Sequence, residues 1–412
     1  MERIQILLLV AFFFLVNIAQ MADEILLMVC LLLRQQYLRN QVALLTIEYC
    51  RRQRRRVRRH HPYFWKLPRP NQSWFEIHYN DRRIPGDYFR KQLRMNRCTF
   101  DILLNVLRPT VTRENTRLRG CIAPEKVLAL SLYRLAHGNS YESIGSVFNV
   151  GRSTVLEAVR DVVEALFNLR NDYIKFPFTE AETRRCIETF QNVSDLPKIV
   201  GAIDGSHVRI AAPPDSAVDY FSRYQQHDFI VQAIVDGRKR FLDFASGFPG
   251  SMHDARVLRN STIFDLAEHD QILTGPSVQI GGNDIKPYLV GDSAYPLASW
   301  LQKPFPEATR DPEEIAFNKA LSGARVAVEC AFGMLKNRWR ILGKRLDSKI
   351  SFANKIAVAC AVLHNFCLLN QDEWDDDEND DPRDQGHESN NDDVIREGDD
   401  VRSVLREYIA NA

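Results

Sequence analysis

The chain has 412 residues, 45% of them apolar, and carries 54 Lys and Arg against 53 Asp and Glu. Its length supports a sizeable core and two or three domains, and its apolar share is ordinary for a globular protein, which excludes a wholly disordered chain. The net charge of +1 hides an asymmetry: residues 371–400 hold 15 acidic residues and two Arg, so the body is basic and suits a polyanion partner.

Residues 4–18, IQILLLVAFFFLVNI, are almost wholly apolar, and apolar residues resume at Ile25–Leu33 and run on to Leu45. The first stretch falls short of the about 20 residues that cross a bilayer and is nearer to a signal-peptide core. Its flank holds Glu2 and Arg3, and no clear small-x-small cleavage site follows. A hydrophobic helix that packs on the body or on a partner is the plainer reading of residues 1–50, with no stable membrane association expected. Met21 offers a second start that would omit the stretch. Residues 51–70 form a basic segment and linker that opens RRQRRRVRRHH. Arg51, Arg52, Arg54, Arg55, Arg56, Arg58 and Arg59 make a cationic patch for phosphate binding or nuclear import, beyond what solubility alone needs.

Residues 71–175 read as a helical region. The apolar spacing from Pro85 to Leu107 is helical, with Pro109 ending it. A helix-turn-helix pattern follows over 122–167. Pro124 opens one helix, Ser140 caps a second, Gly151 lies in the turn, and Ser153 starts a third. That arrangement sets Arg152, Ser153 and Thr154 at the N-terminus of the helix that would meet DNA. The same three-helix packing occurs in proteins that never touch DNA, and the third helix has few basic residues.

From residue 190 to 370 the pattern turns to strands. VGAIDGSHVRI, FIVQAIVD and KRFLDFASG read as three strands, with Asp236–Gly237 in a turn, and YLVGD at 288–292 as a further buried one. A long helix spans 313–341 and another 351–370. The order is that of an α/β, RNase-H-like (retroviral-integrase-like) core, whose ligands gather at the carboxyl ends of strands. Residues 371–412 are acidic and expected to be mostly disordered, with a short helix at 401–409.

Three acidic residues in this region carry the chemistry. A lone Asp after an apolar run is usually a cap or a turn residue, but Asp204 and Asp292 are each framed by Gly at the end of a buried run. Glu329 lies mid-helix among Val326, Val328, Cys330 and Phe332, where a carboxylate is costly unless paired or ligated. The plain account of Glu329 is an ion pair with Arg325 four residues earlier. The sharper one is a metal ligand, with Arg325, Lys336 and Arg338 guiding the DNA backbone. Asp204, Asp292 and Glu329 brought together would hold two Mg²⁺ or Mn²⁺ ions about 3.5–4 Å apart against a phosphodiester. His253 and Asp254 form an accessory pair at a helix start, where Asp254 also reads as a cap. His207 reads as structural or as support to the ligands. The eight Cys form no CxxC, which excludes a zinc finger and points to a reducing compartment.

The stretches GAIDGSHVRI, FPGSMHDARVL, YLVGDSAYPL and FNKALSGARVAVECAFGMLKNRWRIL, followed by LHNF at 363–366, resemble the PIF/Harbinger superfamily of DDE transposases and the nucleases domesticated from them. The resemblance covers roughly residues 80–370. It implies a catalytic core with its first Asp at Asp204, its second at Asp292 and its Glu at Glu329. It also implies a metal-dependent endonuclease or transposase that acts on double-stranded DNA with terminal inverted repeats and carries out strand transfer. A Myb-like accessory DNA-binding protein, a homodimer that handles two ends, and the nucleus, with the cytoplasm as a second compartment, go with it. The competing reading is a non-catalytic DNA- or chromatin-binding adaptor, and a weaker third is a secreted or tethered hydrolase.

Overall fold

The computed structural model describes residues 2–56, 70, 72–115, 120–374 and 396–411. The chain divides into two compact units, Met1–Arg69 and Pro70–Ala412. The first contains helix α1 (Glu2–Arg56). No Gly or Pro interrupts these residues, so the helix does not end with the apolar run at Ile18 but continues through Arg34 and Arg39. Leu7, Phe13, Leu27, Leu33 and Leu45 along it are exposed. By length and composition the Leu7–Glu48 part of this helix is long and apolar enough to cross a membrane, a test that a signal sequence near an N-terminus passes as well.

The second unit opens with helices α2 (Trp74–Asn80), α3 (Gly86–Leu93), α4 (Arg97–Val111), α5 (Pro124–His137), α6 (Tyr141–Val147), α7 (Arg152–Asn168), α8 (Arg170–Tyr173) and α9 (Glu180–Phe190). Pro124 stands at the start of α5, where its missing N–H costs nothing, and Gly138 closes that helix at φ 62°. Ser140 accepts the Ser143 amide at 3.2 Å to start α6, and Gly151 precedes α7. The helical stretch expected from Pro85 to Leu107 is broken at Arg94, which takes φ 55° between α3 and α4. Pro109 does not end α4, which runs on to Val111; so close to the terminus a proline forfeits little.

Strands β1 (Ile199–Arg209), β2 (Asp228–Val235) and β3 (Phe241–Pro249) follow, then α10 (Asp254–Arg259) and α11 (Thr262–Glu268). A hairpin of β4 (Val278–Ile280) and β5 (Asn283–Ile285) turns on Gly281 and Gly282, both at positive φ as a two-residue turn demands. Strands β6 (Tyr288–Val290) and β7 (Leu301–Gln302) precede the long α12 (Pro312–Arg338), α13 (Ile350–Leu369) and α14 (Arg396–Ala410). Among the described residues the main sheet runs β3-β2-β1-β6-β7, antiparallel across β3, β2 and β1 and parallel across β1, β6 and β7.

Alternation along the strands sends Ala202, Val208, Val231 and Val235 into a core shared with α12 and α13, which continues into α4, α5 and α7. Ile203, Ile234 and Leu289 face a smaller cluster with Leu258 of α10, Ile263 of α11 and Tyr295. The sheet thus lies between two helical layers in a mixed α/β architecture.

The LHNF segment is a clamp in this core. The side-chain oxygen of Asn365 accepts the Phe241 amide at 2.9 Å, and its nitrogen donates to the carbonyls of Phe241 and Tyr173 at 2.7 and 2.9 Å. His364 lies 2.9 Å from the Lys239 carbonyl, and burial pushes its imidazole down to about 4, so it is neutral.

The tail departs from the disorder expected of 371–412 at both of its described ends; residues 375–395 lie outside the described residues. Asp372 is buried, pairs with Arg338 at 3.0 Å and accepts the Asn96 amide at 2.7 Å, while Trp374 lies 4.3 Å beneath the Arg94 guanidinium. The helix expected at 401–409 is longer, and α14 docks on α12 through buried Leu405, with Arg406 3.5 Å from Glu313 and Arg402 over the Phe305 ring.

Asn365→Leu would remove the side-chain partner of two buried backbone groups of Phe241 and of the partly buried Tyr173 carbonyl. It should lower stability by about 2–4 kcal/mol, read as a reduced midpoint in urea, with the fold retained.

Candidate acidic active site

The parallel pairing of β1 with β6 places the first two carboxylates. Ala202 stands opposite Val290, so Asp204 and Asp292, two residues further along, leave adjoining strands side by side. Asp204 accepts the Gly205 amide at 2.7 Å, and Asp292 the Ala294 amide at 3.1 Å. A third carboxylate joins them from α10. Asp254 is the first residue of that helix, and His253 before it is the N-cap, so Asp254 does not cap the helix as its position suggested. Its carboxylate turns to β1 instead. A Cβ built on Gly205 would lie 2.5 Å from Asp254 Oδ1, so the absence of a side chain at 205 is what admits it.

Crowding shows in the acidities. Burial, with Asp292 next and against the opposing charge of Arg325, pushes Asp204 up to about 7. Burial and then Asp292 raise Asp254. Burial raises Asp292, with Arg325 again opposing. Arg325 of α12 lies 2.9 Å from Glu329 and 4.0 Å from Asp204. Both the plain ion pair and the approach to the strand carboxylates are therefore present in one guanidinium. The Glu329 side chain is 52% exposed and faces the solvent end of that bridge rather than the apolar side of the helix.

Among the described residues no three His, Cys, Asp or Glu stand close enough together to ligate one metal ion as placed. The donor set nonetheless suits Mg²⁺ or Mn²⁺: it is all carboxylate oxygen, and burial raises the pKa of Asp204, Asp254 and Asp292. Buried polar atoms beside it, the Tyr295 hydroxyl and the Gln232 amide, have no hydrogen-bond partner.

The other residues singled out from sequence lie apart from this cluster or in other roles. His253 is exposed. Lys336 is half-buried further along α12. Arg338 is not a DNA-facing residue: it is 3% exposed and spends its guanidinium on the Arg94 and Asp372 carbonyls, at 2.8 and 2.6 Å, and on the Asp372 carboxylate. Arg152 and Ser153 are exposed at the start of α7, and Thr154 is half-buried. Arg51, Arg52, Arg54, Arg55 and Arg56 fall in the last turns of α1, where only the backbone is described, and Arg58 and Arg59 lie outside the described residues.

Sequence reasoning passed over Arg223, whose charge acts on both Asp254 and Asp292, and over the partner of His207. The His207 Nδ1 is 2.9 Å from Asp228, a fully buried carboxylate that also accepts the Ser222 hydroxyl at 2.6 Å. Neither is marked by spacing; each depends on the 222–228 segment folding back along β1.

A carboxyl whose folded value lies above its unfolded value of about 3.9 removes stability as pH rises between the two. In chelator the Asp204 charge therefore costs stability above about pH 7 and nothing below about pH 4. Asp204→Asn should raise the melting temperature at pH 8 and leave it nearly unchanged at pH 3.5, a contrast readable by calorimetry in EDTA.

Residues 203–365, which run from β1 into the clamp on α13, match the DDE superfamily endonuclease family model. The chain is 30% identical over 69% of its length to the protein "Antagonist of like heterochromatin protein 1" of Arabidopsis thaliana, covering 74% of that protein. It is 29% identical over 78% of its length to the Arabidopsis thaliana "Protein ALP1-like", covering 80%. To the "Putative nuclease HARBI1" of Homo sapiens it is 27% identical over 69% of its length, covering 78%. No solved structure matches the chain significantly. With the matched segment spanning Asp204, Asp254, Asp292 and Glu329, the chain belongs to the Harbinger transposase-derived proteins and carries a DDE-superfamily endonuclease domain.

Proposed function

We propose that this protein is a divalent-metal-dependent DNA endonuclease with the chemistry of a DDE transposase. The observation that carries the reading is the meeting of Asp204, Asp254 and Asp292 from β1, α10 and the end of β6, with Arg325 spanning from Asp204 to Glu329. An acidic cluster of this kind, with the pKa of each carboxyl raised by burial, has the character of a site built for cations. The strand order, three antiparallel strands continued by parallel β6 and β7, supports an RNase-H-like core.

Asp204, Asp292 and Glu329, with Asp254 as a fourth member, would hold Mg²⁺ or Mn²⁺, two to a site. The bound ions would supply Lewis acidity to the scissile phosphate and lower the pKa of the attacking water. The protein's own part is positional. Asp204 and Asp292 are fixed by strand register and by the Gly205 and Ala294 amides, and Asp254 by its seat against Gly205. Arg325 opposes the rise in pKa of Asp204 and Asp292 and offers guanidinium donors to a phosphodiester. In strand transfer a freed 3′-OH takes the place of water, with no covalent link between protein and DNA.

The substrate in this reading is double-stranded DNA with terminal inverted repeats, met by Arg152, Ser153 and Thr154 and by the basic run after Tyr49. A homodimer handles two ends, and a Myb-like protein supplies further DNA binding. A nuclear place is supported by the relative named for heterochromatin.

Purified protein incubated with terminal-repeat duplex and Mn²⁺ should cleave it. Asp204→Asn, Asp254→Asn and Asp292→Asn should each lower the rate by about 100-fold or more, since even residues that only support metal ligands cost about 10–100-fold. Cleavage that survives Asp204→Asn would end the assignment. DNA binding without cleavage by the unaltered protein would favour the non-catalytic adaptor.

A further inference from the structure

Two polar side chains beside the acidic cluster have nothing to bond to. Tyr295 is 0% exposed and its hydroxyl has no partner; Gln232 is 3% exposed and neither atom of its amide has one. Groups so placed are rare in native interiors, because a buried donor or acceptor left unpaired is costly, and each calls for an explanation.

Both lie at the cluster. Gln232 of β2 stands opposite Gly205 of β1, and residues directly opposite in an antiparallel pair point to the same face. The Asp254 carboxylate fills the side-chain position of Gly205, so the Gln232 amide is its neighbour on that face. Ile203 and Ile234, one step away on the same two strands, share the smaller core with Tyr295, which places all three on one side of the sheet. Tyr295 follows Asp292 by three residues and packs back over Gly291, its ring 2.9 Å from where a Cβ there would lie. Burial, with Asp254, Asp204 and Asp292 nearby, raises the pKa of its hydroxyl well above the usual tyrosine value, so it stays an O–H donor.

A phenol and a carboxamide supply what carboxylates lack. The phenol donates, and the carboxamide donates through nitrogen and accepts through oxygen. Waters held on a divalent cation are donors, and carboxylate oxygens that bind it keep spare lone pairs. We propose that Gln232 and Tyr295 form a polar floor beneath the acidic cluster and hydrogen-bond the water and carboxylate oxygens that surround a bound Mg²⁺ or Mn²⁺. They act as positioning residues. The inference rests on the metal-binding reading of the site.

The test is Mn²⁺ titration calorimetry on the full chain at pH 7.5, with the unaltered protein, Tyr295→Phe, Gln232→Leu and Asp254→Asn, alongside melting in EDTA. Removing an unpaired buried group is neutral or stabilising, whereas removing one that orients a metal ligand weakens the metal by about 10–100-fold. Tyr295→Phe and Gln232→Leu are each expected to bind Mn²⁺ about 10-fold more weakly, with melting temperatures in EDTA equal to or above the unaltered protein's. Mn²⁺ affinity within twofold of the unaltered protein in both, while Asp254→Asn abolishes binding, would overturn the floor and leave the metal site standing. Melting temperatures lowered in EDTA in both variants would assign the two groups to packing and overturn it as well. No Mn²⁺ binding by the unaltered protein would overturn the metal reading and the floor with it.

Discussion

Buried like charges must be neutralised, and this constraint shapes the endonuclease-family domain of the molecule. Asp204, Asp254 and Asp292 come from three elements; burial raises the pKa of all three, and the charge of Asp292 raises Asp204 and Asp254 further. No packing of apolar groups relieves such repulsion; it takes protons or cations. The fold supplies Arg325 from the middle of α12, shared with Glu329, and Arg223, whose charge acts on Asp254 and Asp292. The long helix therefore brings one carboxylate and one counter-charge at the same time, four residues apart on one face.

The sheet makes that meeting possible through register more than through sequence proximity. Parallel pairing of Ala202 with Val290 sends two strands out at the same level, and an Asp two residues beyond each pair lands at the same edge. The approach of α10 depends on a single missing side chain at Gly205. The opposite face of β1, through Ala202 and Val208, belongs to the core with α12 and α13. One strand thus joins the helix that bears Arg325 to the helix that bears Asp254.

What could be read from the chain follows the range of the forces involved. The strand runs, the Asp-Gly and Gly-Asp frames of Asp204 and Asp292, and the Arg325–Glu329 spacing are local, and all were legible. So were two signals passed over: the Gly281–Gly282 turn of the small hairpin, and the Thr179–Glu182 capping box that starts α9. Asp254 was underrated because a carboxylate at a helix start reads as a cap; only the pairing of β1 with β2 and the seat of α10 reveal where it points. Arg338 misled for the opposite reason. A basic residue in the last turn of a helix usually faces water, but here the break at Arg94 and the buried Asp372, more than thirty residues on, turn it inward. Neither partner lies within reach of any periodicity.

The tail shows the same limit in composition. Its charge reads as disorder, yet both described ends grip α12. At the C-terminal end of that helix Arg338 holds Asp372, and Trp374 lies under Arg94. At its N-terminal end Arg406 of α14 reaches Asp311, Glu313 and Glu314, at 3.9, 3.5 and 4.0 Å. The pairs with Arg406 are partly exposed and individually worth little. The apolar seat of Leu405 and the burial of Asp372 carry more. Since α12 bears Arg325 and Glu329, anchors at its two ends fix where those side chains meet the strands. An acidic stretch that appears dispensable by composition is therefore tied, through a handful of arginines, to the helix on which the balance of charge in the cluster depends.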